Sequence, residues 1–144
     1  VSGDVLIPSS TTTSGIDLAN ATALLEDNVL IGGDINILRA KNTKTHDARF
    51  LSFYLTHIKK FEIASFAQGI TIVHLYGRDL RRLKIQLPPL EEQRKIVTVL
   101  LTAEAEIEAL ERLLAGWREQ KRYLLNNLVT GTIRLPQFRP GKDK

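Results

Sequence analysis

No cysteine occurs among the 144 residues, which excludes disulfide staples and thiolate metal sites. The only histidines are His46, His57 and His74. They fall in three different expected elements, so the ligand spacing of a zinc site is absent and no metal is expected. No apolar run approaches the roughly 18 to 20 residues that span a bilayer, and nothing near the start joins a basic stretch to an apolar signal core. A reducing cytoplasm is the expected location, with no membrane partner. Also missing are a P-loop, a Gly-x-Gly-x-x-Gly turn, a Gly-x-Ser-x-Gly elbow and the Asn/Asp-Pro-Pro-Tyr/Phe motif of an adenine methyltransferase. The "IGGDI" stretch has glycines but leads into a strand rather than a helix, so it reads as a turn. No self-contained active site follows from this sequence. There is no initiator methionine either: the chain opens "VSGDVLIPSS", with Asp4 to Ile7 already strand-like, and a fragment lacking an N-terminal part is expected.

What is present is globular in composition, 43% hydrophobic and 25% charged, at a length that fits one compact domain plus an extended element. The net charge of +4 suits a nucleic-acid partner without requiring one. Its distribution is uneven. Residues 1–90 carry +2, residues 91–128 carry −1, and residues 129–144 carry +3.

The first 87 residues read as a mixed α+β domain. "DVLI" is a strand running into the polar loop "PSSTTTSG". "NVLIGGDINILRA" reads as a hairpin about Gly32-Gly33, with Ile35, Ile37 and Arg39 on one face and Asn36 and Leu38 on the other. From Asp47 the pattern is helical: Phe50, Leu51, Tyr54, Leu55, Ile58 and Phe61 follow at three- and four-residue steps, with Gly69 as a stop. "ITIVHLY" reads as a strand, "GRDLRRL" as one helical turn, and "KIQL" as a short strand ending at Pro88-Pro89.

Residues 88–130 behave differently. Ile96, Leu100, Ala103, Ile107, Leu110, Leu114, Trp117, Lys121, Leu124 and Leu128 alternate steps of four and three, the seam of a coiled coil. Pro89 at the start, Glu91 and Glu92 in the first turn, basic residues toward the end and Gly131 beyond it are helix punctuation. One helix from about Leu90 to about Leu128 is expected, roughly 55 to 60 Å long at 1.5 Å per residue. Such a seam outruns a domain of this size and calls for a second helix, from another copy or from the other half of a longer chain. Lys121 in the seam would fall near the partner's first turn and Glu91 or Glu92, either fixing register or snorkelling at a frayed end. Residues 131–144 form a basic tail, expected to be loosely ordered beyond Pro136.

In order, "TIVHLYGRDLRRLKIQLPPLEEQRKIV", the heptad helix and "YLLNNLVTGTIRLP" resemble the specificity subunit of a type I restriction-modification system. The likeness covers about residues 66 to 136, and more loosely the "GDVLI" and "GGDINILR" strands. It implies a protein without catalytic residues, in which two target-recognition domains each read half of a split double-stranded DNA sequence. Two antiparallel helices hold them apart. Modification (methyltransferase) subunits would carry the S-adenosylmethionine chemistry and restriction subunits the ATP and Mg, so no cofactor is expected on this chain. Only one recognition-domain portion is present here, and either a self-pairing half-subunit or a piece of a longer subunit fits.

Base and phosphate contacts need fixed donors and acceptors together with Lys or Arg. The candidates are Ser10, Thr11, Thr12, Lys41, Lys44, Arg49, Gln68, His74, Tyr76, Arg78, Arg81 and Arg82. A solvated surface is the competing reading of each, and a core-edge position that of His74 and Tyr76. The alternative for the whole chain is a homodimerising coiled-coil module that binds no DNA.

Overall fold

The computed structural model describes residues 1–42 and 44–139. It is α+β, as the sequence predicts, with two small antiparallel sheets, short helices and one long helix. Packing divides the chain into Val1–Val99 and a second unit from Leu100 onward.

In the first unit, β1 (Val5–Pro8) lies between β3 (Thr22–Ala23) and β4 (Ile35–Leu38). Val5 opposes Ala23 on one side and Leu38 on the other. The strand then changes partners at Ser9. Its N–H donates to Asp34 O at 2.7 Å, while its carbonyl accepts from the Leu75 N–H at 2.8 Å. Beyond it β2 (Ser10–Thr11) pairs with β5 (Val73–His74) in a separate ladder.

The expected hairpin about Gly32-Gly33 does not form: residues 28–31 join no strand, and β4 pairs with β1 instead. Asn28 and Asp34 sit at φ 59° and 54°, left-handed kinks that interrupt an extended run. The alternation within β4 is as expected, and the inward face is that of Asn36 and Leu38. Leu38 packs on the core, and the Asn36 amide donates to Leu75 O at 2.8 Å.

The helical stretch is broken by a register slip. Asp47 caps α2 (Ala48–Phe53) by accepting from the Arg49 and Phe50 N–H groups. Tyr54–Ile58 then form a π-helical turn, closed by the Lys59 N–H on Tyr54 O at 3.1 Å, before α3 (Lys60–Ser65). The extra residue in that turn rotates everything after it by about 100° relative to a regular helix. Ile58 and Phe61, which regular spacing would bury, are 67% and 74% exposed, and Ile63 is fully buried in their place.

The core gathers Val5, Ile7, Leu18, Leu51, Leu55, Ile63, Val73, Leu75 and Leu80. Leu18 comes from α1 (Gly15–Leu18), a turn that starts at the last residue of the predicted polar loop, where Asp17 accepts from the Ser14 N–H. The "ITIVHLY" strand shrinks to β5, because a tight turn occupies residues 69–72. That turn requires a glycine at 69: at φ 130° an added Cβ would overlap Ile72 O. The helical turn α4 (Gly77–Leu80) forms as predicted. "KIQL" is not a strand; Leu83 and Leu87 hold this segment by packing on the core.

The helix α5 (Leu90–Val129) matches its predicted span. Gln93 and Val97, four residues apart on one face, are the buried residues of its first turns. At its far end Gly131, at φ 74°, donates to Leu128 O and the Ile133 N–H reaches Asn127 O at 3.0 Å, satisfying carbonyls of the last turn. A short 3-10 turn follows at Pro136–Phe138. Residues 140–144 of the expected basic tail lie outside the described residues.

Candidate nucleic-acid interface

The β2–β5 ladder assembles the first group of candidate residues. Ser10 opposes His74, and Gln68 exchanges both backbone hydrogen bonds with His74, at 2.9 and 2.7 Å. His74, Tyr76 and Arg78 then project at two-residue steps. The His74 and Tyr76 rings stack at 5.9 Å, and the Arg78 guanidinium lies 4.9 Å from the Tyr76 centroid. Such a stack stiffens three side chains that would otherwise sample many rotamers. Tyr76 and Arg78 are exposed and His74 is half-buried, so the stack presents an aromatic and cationic surface.

The adjoining hydroxyls are ordered as well. Ser10 Oγ donates to Asp34 Oδ2 at 2.9 Å, the Thr11 and Thr13 hydroxyls meet at 2.9 Å, and Thr13 donates to Asp17 at 2.6 Å. Hydrogen bonds from Thr13 and Ser14 hold the Asp17 carboxyl below its usual range. Thr12 is exposed beside them.

The second group lines an open cleft of about 960 Å³ between residues 36–41, the Thr45-His46 segment and residues 77–87. Lys41 and Arg81 stand in its wall with Arg39 and His46. Arg39 is already engaged: its Nε and Nη2 donate to Asp4 at 2.8 and 2.6 Å. Those bonds hold the nearly buried Asp4 carboxyl at a pKa of about 2, against the opposing effect of burial, with a smaller pull from the Val1 amino group. Lys41 and Arg81, both exposed, are the cationic side chains offered to a ligand in this cleft. The two groups meet at Asn36, which binds Leu75 O and whose Oδ1 would lie 3.2 Å from a Cβ added at Gly77.

Lys44, Arg49 and Arg82 belong to neither group. Lys44 follows the cleft loop, with its N–H on Asn42 Oδ1. Arg49 is exposed in the first turn of α2. Arg82 covers the Phe66 ring at 5.4 Å and approaches Asp79 at 3.9 Å. Among the described residues no cluster of His, Asp or Glu could hold a metal ion, and no helix is long and apolar enough to cross a membrane.

Sequence reasoning missed Gln93. It is fully buried, and all of its amide is used: Oε1 accepts from the Asp47 N–H at 2.9 Å, and Nε2 donates to Thr45 O and Pro88 O at 3.1 and 2.7 Å. The available signal was its position one helical turn before Val97, on the same face.

Of the ten seam positions on α5, Ile96 is half-buried and the other nine are exposed within this chain. Ile107, Leu110 and Trp117 each leave more than half of their surface in solvent, at 56%, 58% and 60%. Trp117, Lys121, Leu124, Leu125 and Leu128 border a shallow, largely apolar groove.

Residues 2–115 match the family described as the type I restriction modification DNA specificity domain. The chain is 35% identical over 123 residues to a protein of Haemophilus influenzae provisionally named a type I restriction enzyme specificity subunit, covering 84% of this chain and 30% of that one. It is 31% identical over 115 residues to the provisionally named type I restriction enzyme MjaX specificity subunit of Methanocaldococcus jannaschii, covering 72% and 27%. The chain thus spans under a third of the length of these relatives. A family match running from the first strand through the middle of the long helix, over a domain with ordered polar loops, makes this chain a member of the type I restriction-modification DNA specificity family.

Proposed function

We propose that this chain reads one half of a bipartite DNA target and works in the cytoplasm by binding and scaffolding rather than by catalysis. The observation that carries the proposal is a division of labour along the chain. Residues 1–99 present the His74-Tyr76-Arg78 stack and the Lys41/Arg81 cleft, while α5 leaves its apolar seam open. Lys41, Arg81 and Arg78 supply phosphate contacts, and the hydroxyl and amide groups of Ser10, Thr11, Thr12 and Gln68 supply base contacts. Modification subunits bearing S-adenosylmethionine, and restriction subunits using ATP and Mg, would dock on the assembled frame. The hydroxyl loop and Gln68 specify, the cations hold.

The seam favours an antiparallel partner helix. In a parallel pair of copies Lys121 would face its own equivalent, and Glu106 would meet Glu111 across the flank. An antiparallel pair that overlaps all ten seam positions layers Ile96 on Leu128, Leu100 on Leu124, Ala103 on Lys121, Ile107 on Trp117, and Leu110 on Leu114. Lys121 then lies opposite the smallest seam residue rather than the partner's first turn, and Glu104 flanks the partner's Arg118. Glu111 meets its own equivalent at the two-fold axis, a like-charge contact that the two Glu104 pairs offset. Flanking charges of this kind select orientation.

Selection from random-sequence duplexes, followed by affinity measurement at several salt concentrations, tests the proposal. A preferred two-part sequence, with log K falling by about 0.9 per phosphate contacted for each unit of log salt, is expected. Equal affinity for every duplex would refute sequence reading, and no duplex binding at all would leave a helix-pairing module.

A further inference from the structure

We infer that Gln93 is a positioning residue: it fixes the angle between the first turns of α5 and the rest of residues 1–99, and through that angle sets which spacer lengths a split target can have. The inference rests on the DNA-reading function proposed above.

The amide of Gln93 makes contacts of a kind that only glutamine can make at this position. Both Nε2 hydrogens are spent on carbonyls, Thr45 O and Pro88 O, and Oε1 takes the Asp47 N–H. Glutamate would present a second acceptor to two carbonyl oxygens. Asparagine is one methylene too short. The three partners matter because of where they lie. Thr45 belongs to the cleft wall that also holds Lys41 and His46. Asp47 is the N-cap of α2, whose Leu51 is in the core. Pro88 is the joint itself, where one covalent strand of chain leads into α5, and prolines there fix φ and remove some of the joint's freedom. One buried side chain therefore ties the helix start to the reading loop, to the core helix and to the joint.

The need for such a tie follows from DNA geometry. Each added base pair between two half-sites moves the second by about 3.4 Å and turns it by about 35° around the duplex axis. Helices of fixed length can discriminate between neighbouring spacers only where each recognition domain resists that rotation at its joint. A glutamine that merely satisfied buried groups would affect stability alone, and its loss would scale binding to all targets equally.

The experiment uses the full chain assembled with its modification subunits. The probes are duplexes carrying the half-sites selected by the wild-type protein, with spacers at the preferred length and one base pair shorter and longer. For Gln93→Ala the half-site preference is expected to persist while the affinity ratio between preferred and neighbouring spacers falls severalfold. For Gln93→Glu the ratio, normalised to wild type at the same pH, is expected to be relaxed at pH about 8 and to recover toward wild type on acidification, as protonation restores one donor. Uniform weakening across all spacers, or ratios equal to wild type in both variants, overturns the inference while leaving DNA reading intact. A wild-type protein that selects no split sequence refutes DNA reading itself and this inference with it. If Gln93→Ala does not fold, the pH series on Gln93→Glu decides the matter alone.

Discussion

The ion pair between Asp4 and Arg39 lends itself to a quantitative test. Asp4 keeps only 4% of its side-chain surface in solvent and receives both guanidinium bonds, whereas Arg39 is 59% exposed. The Asp4 carboxyl stands at about 2 against an ordinary 3.8. At 1.36 kcal/mol per pKa unit that difference sets a ceiling of about 2.5 kcal/mol. Solvent screening on the Arg39 side reduces the realised figure to about 1 to 2 kcal/mol. Because the folded-state pKa is depressed, the contribution is fully present above about pH 4 and is lost as pH falls through about 2. Urea unfolding of wild type and Arg39→Ala at a series of pH values reads it directly. The expected gap is about 1 to 2 kcal/mol at neutral pH, closing between about pH 4 and pH 2. A gap that is constant with pH, or that widens in acid, would refute the assignment of the stabilisation to the Asp4 carboxylate.

Three further outcomes follow from the geometry. Ile63→Ala should cost about 2 to 4 kcal/mol and Phe61→Ala under about 0.5 kcal/mol in chemical denaturation; the reverse ranking would contradict the π-turn register. Gly69→Ala drives a Cβ into Ile72 O at φ 130°, so it should lower the melting temperature by the equivalent of about 2 kcal/mol or more and disorder the Gln68–His74 bridge, visible as faster exchange of the two amides. In the proposed antiparallel pair of copies, Leu113→Cys would put the chain's single thiol next to the two-fold axis, so oxidation should give a covalent dimer on a non-reducing gel. Glu108→Cys, on the outer face, should not.

The long helix is legible because its signal is local and repeated: helix punctuation, prolines and an uninterrupted spacing from Ile96 to Leu128 all point to one element. Strands of two to four residues carry no such signal. β4 lies where its alternation predicts but pairs with β1 rather than within a hairpin, since nothing in "NVLIGGDINILRA" reveals that β1 offers the better edge. The apolar spacing through Ile58 and Phe61 is sound helical periodicity, and it fails only because one turn takes an extra residue. The candidate contacts divide in the same way. His74 and Tyr76 stack two residues apart where the chain leaves β5, and the first turn of α4 brings Arg78 over Tyr76, all within five residues of sequence, whereas the placing of Lys41 and Arg81 in one cleft is a product of tertiary folding. The sequence shows Arg39 only as a position on the Ile35 and Ile37 face, and its ion pair with Asp4 depends on a pairing thirty-five residues apart. Gln93 was hidden among charged neighbours, where a polar residue ordinarily signals solvent.

The π-helical turn at Tyr54–Ile58 also has a genealogical consequence. A turn of this kind is what a single inserted codon leaves in a helix whose two ends were already anchored: the insertion is absorbed locally and everything downstream keeps its place. A homologue that never received the insertion would be one residue shorter between its counterparts of Leu51 and Ile63, and its apolar spacing would run through unbroken. Alignments across the family should therefore open a one-residue gap there. Forcing an ungapped match would shift every downstream correspondence, including those of His74, Tyr76 and Arg78, by one position.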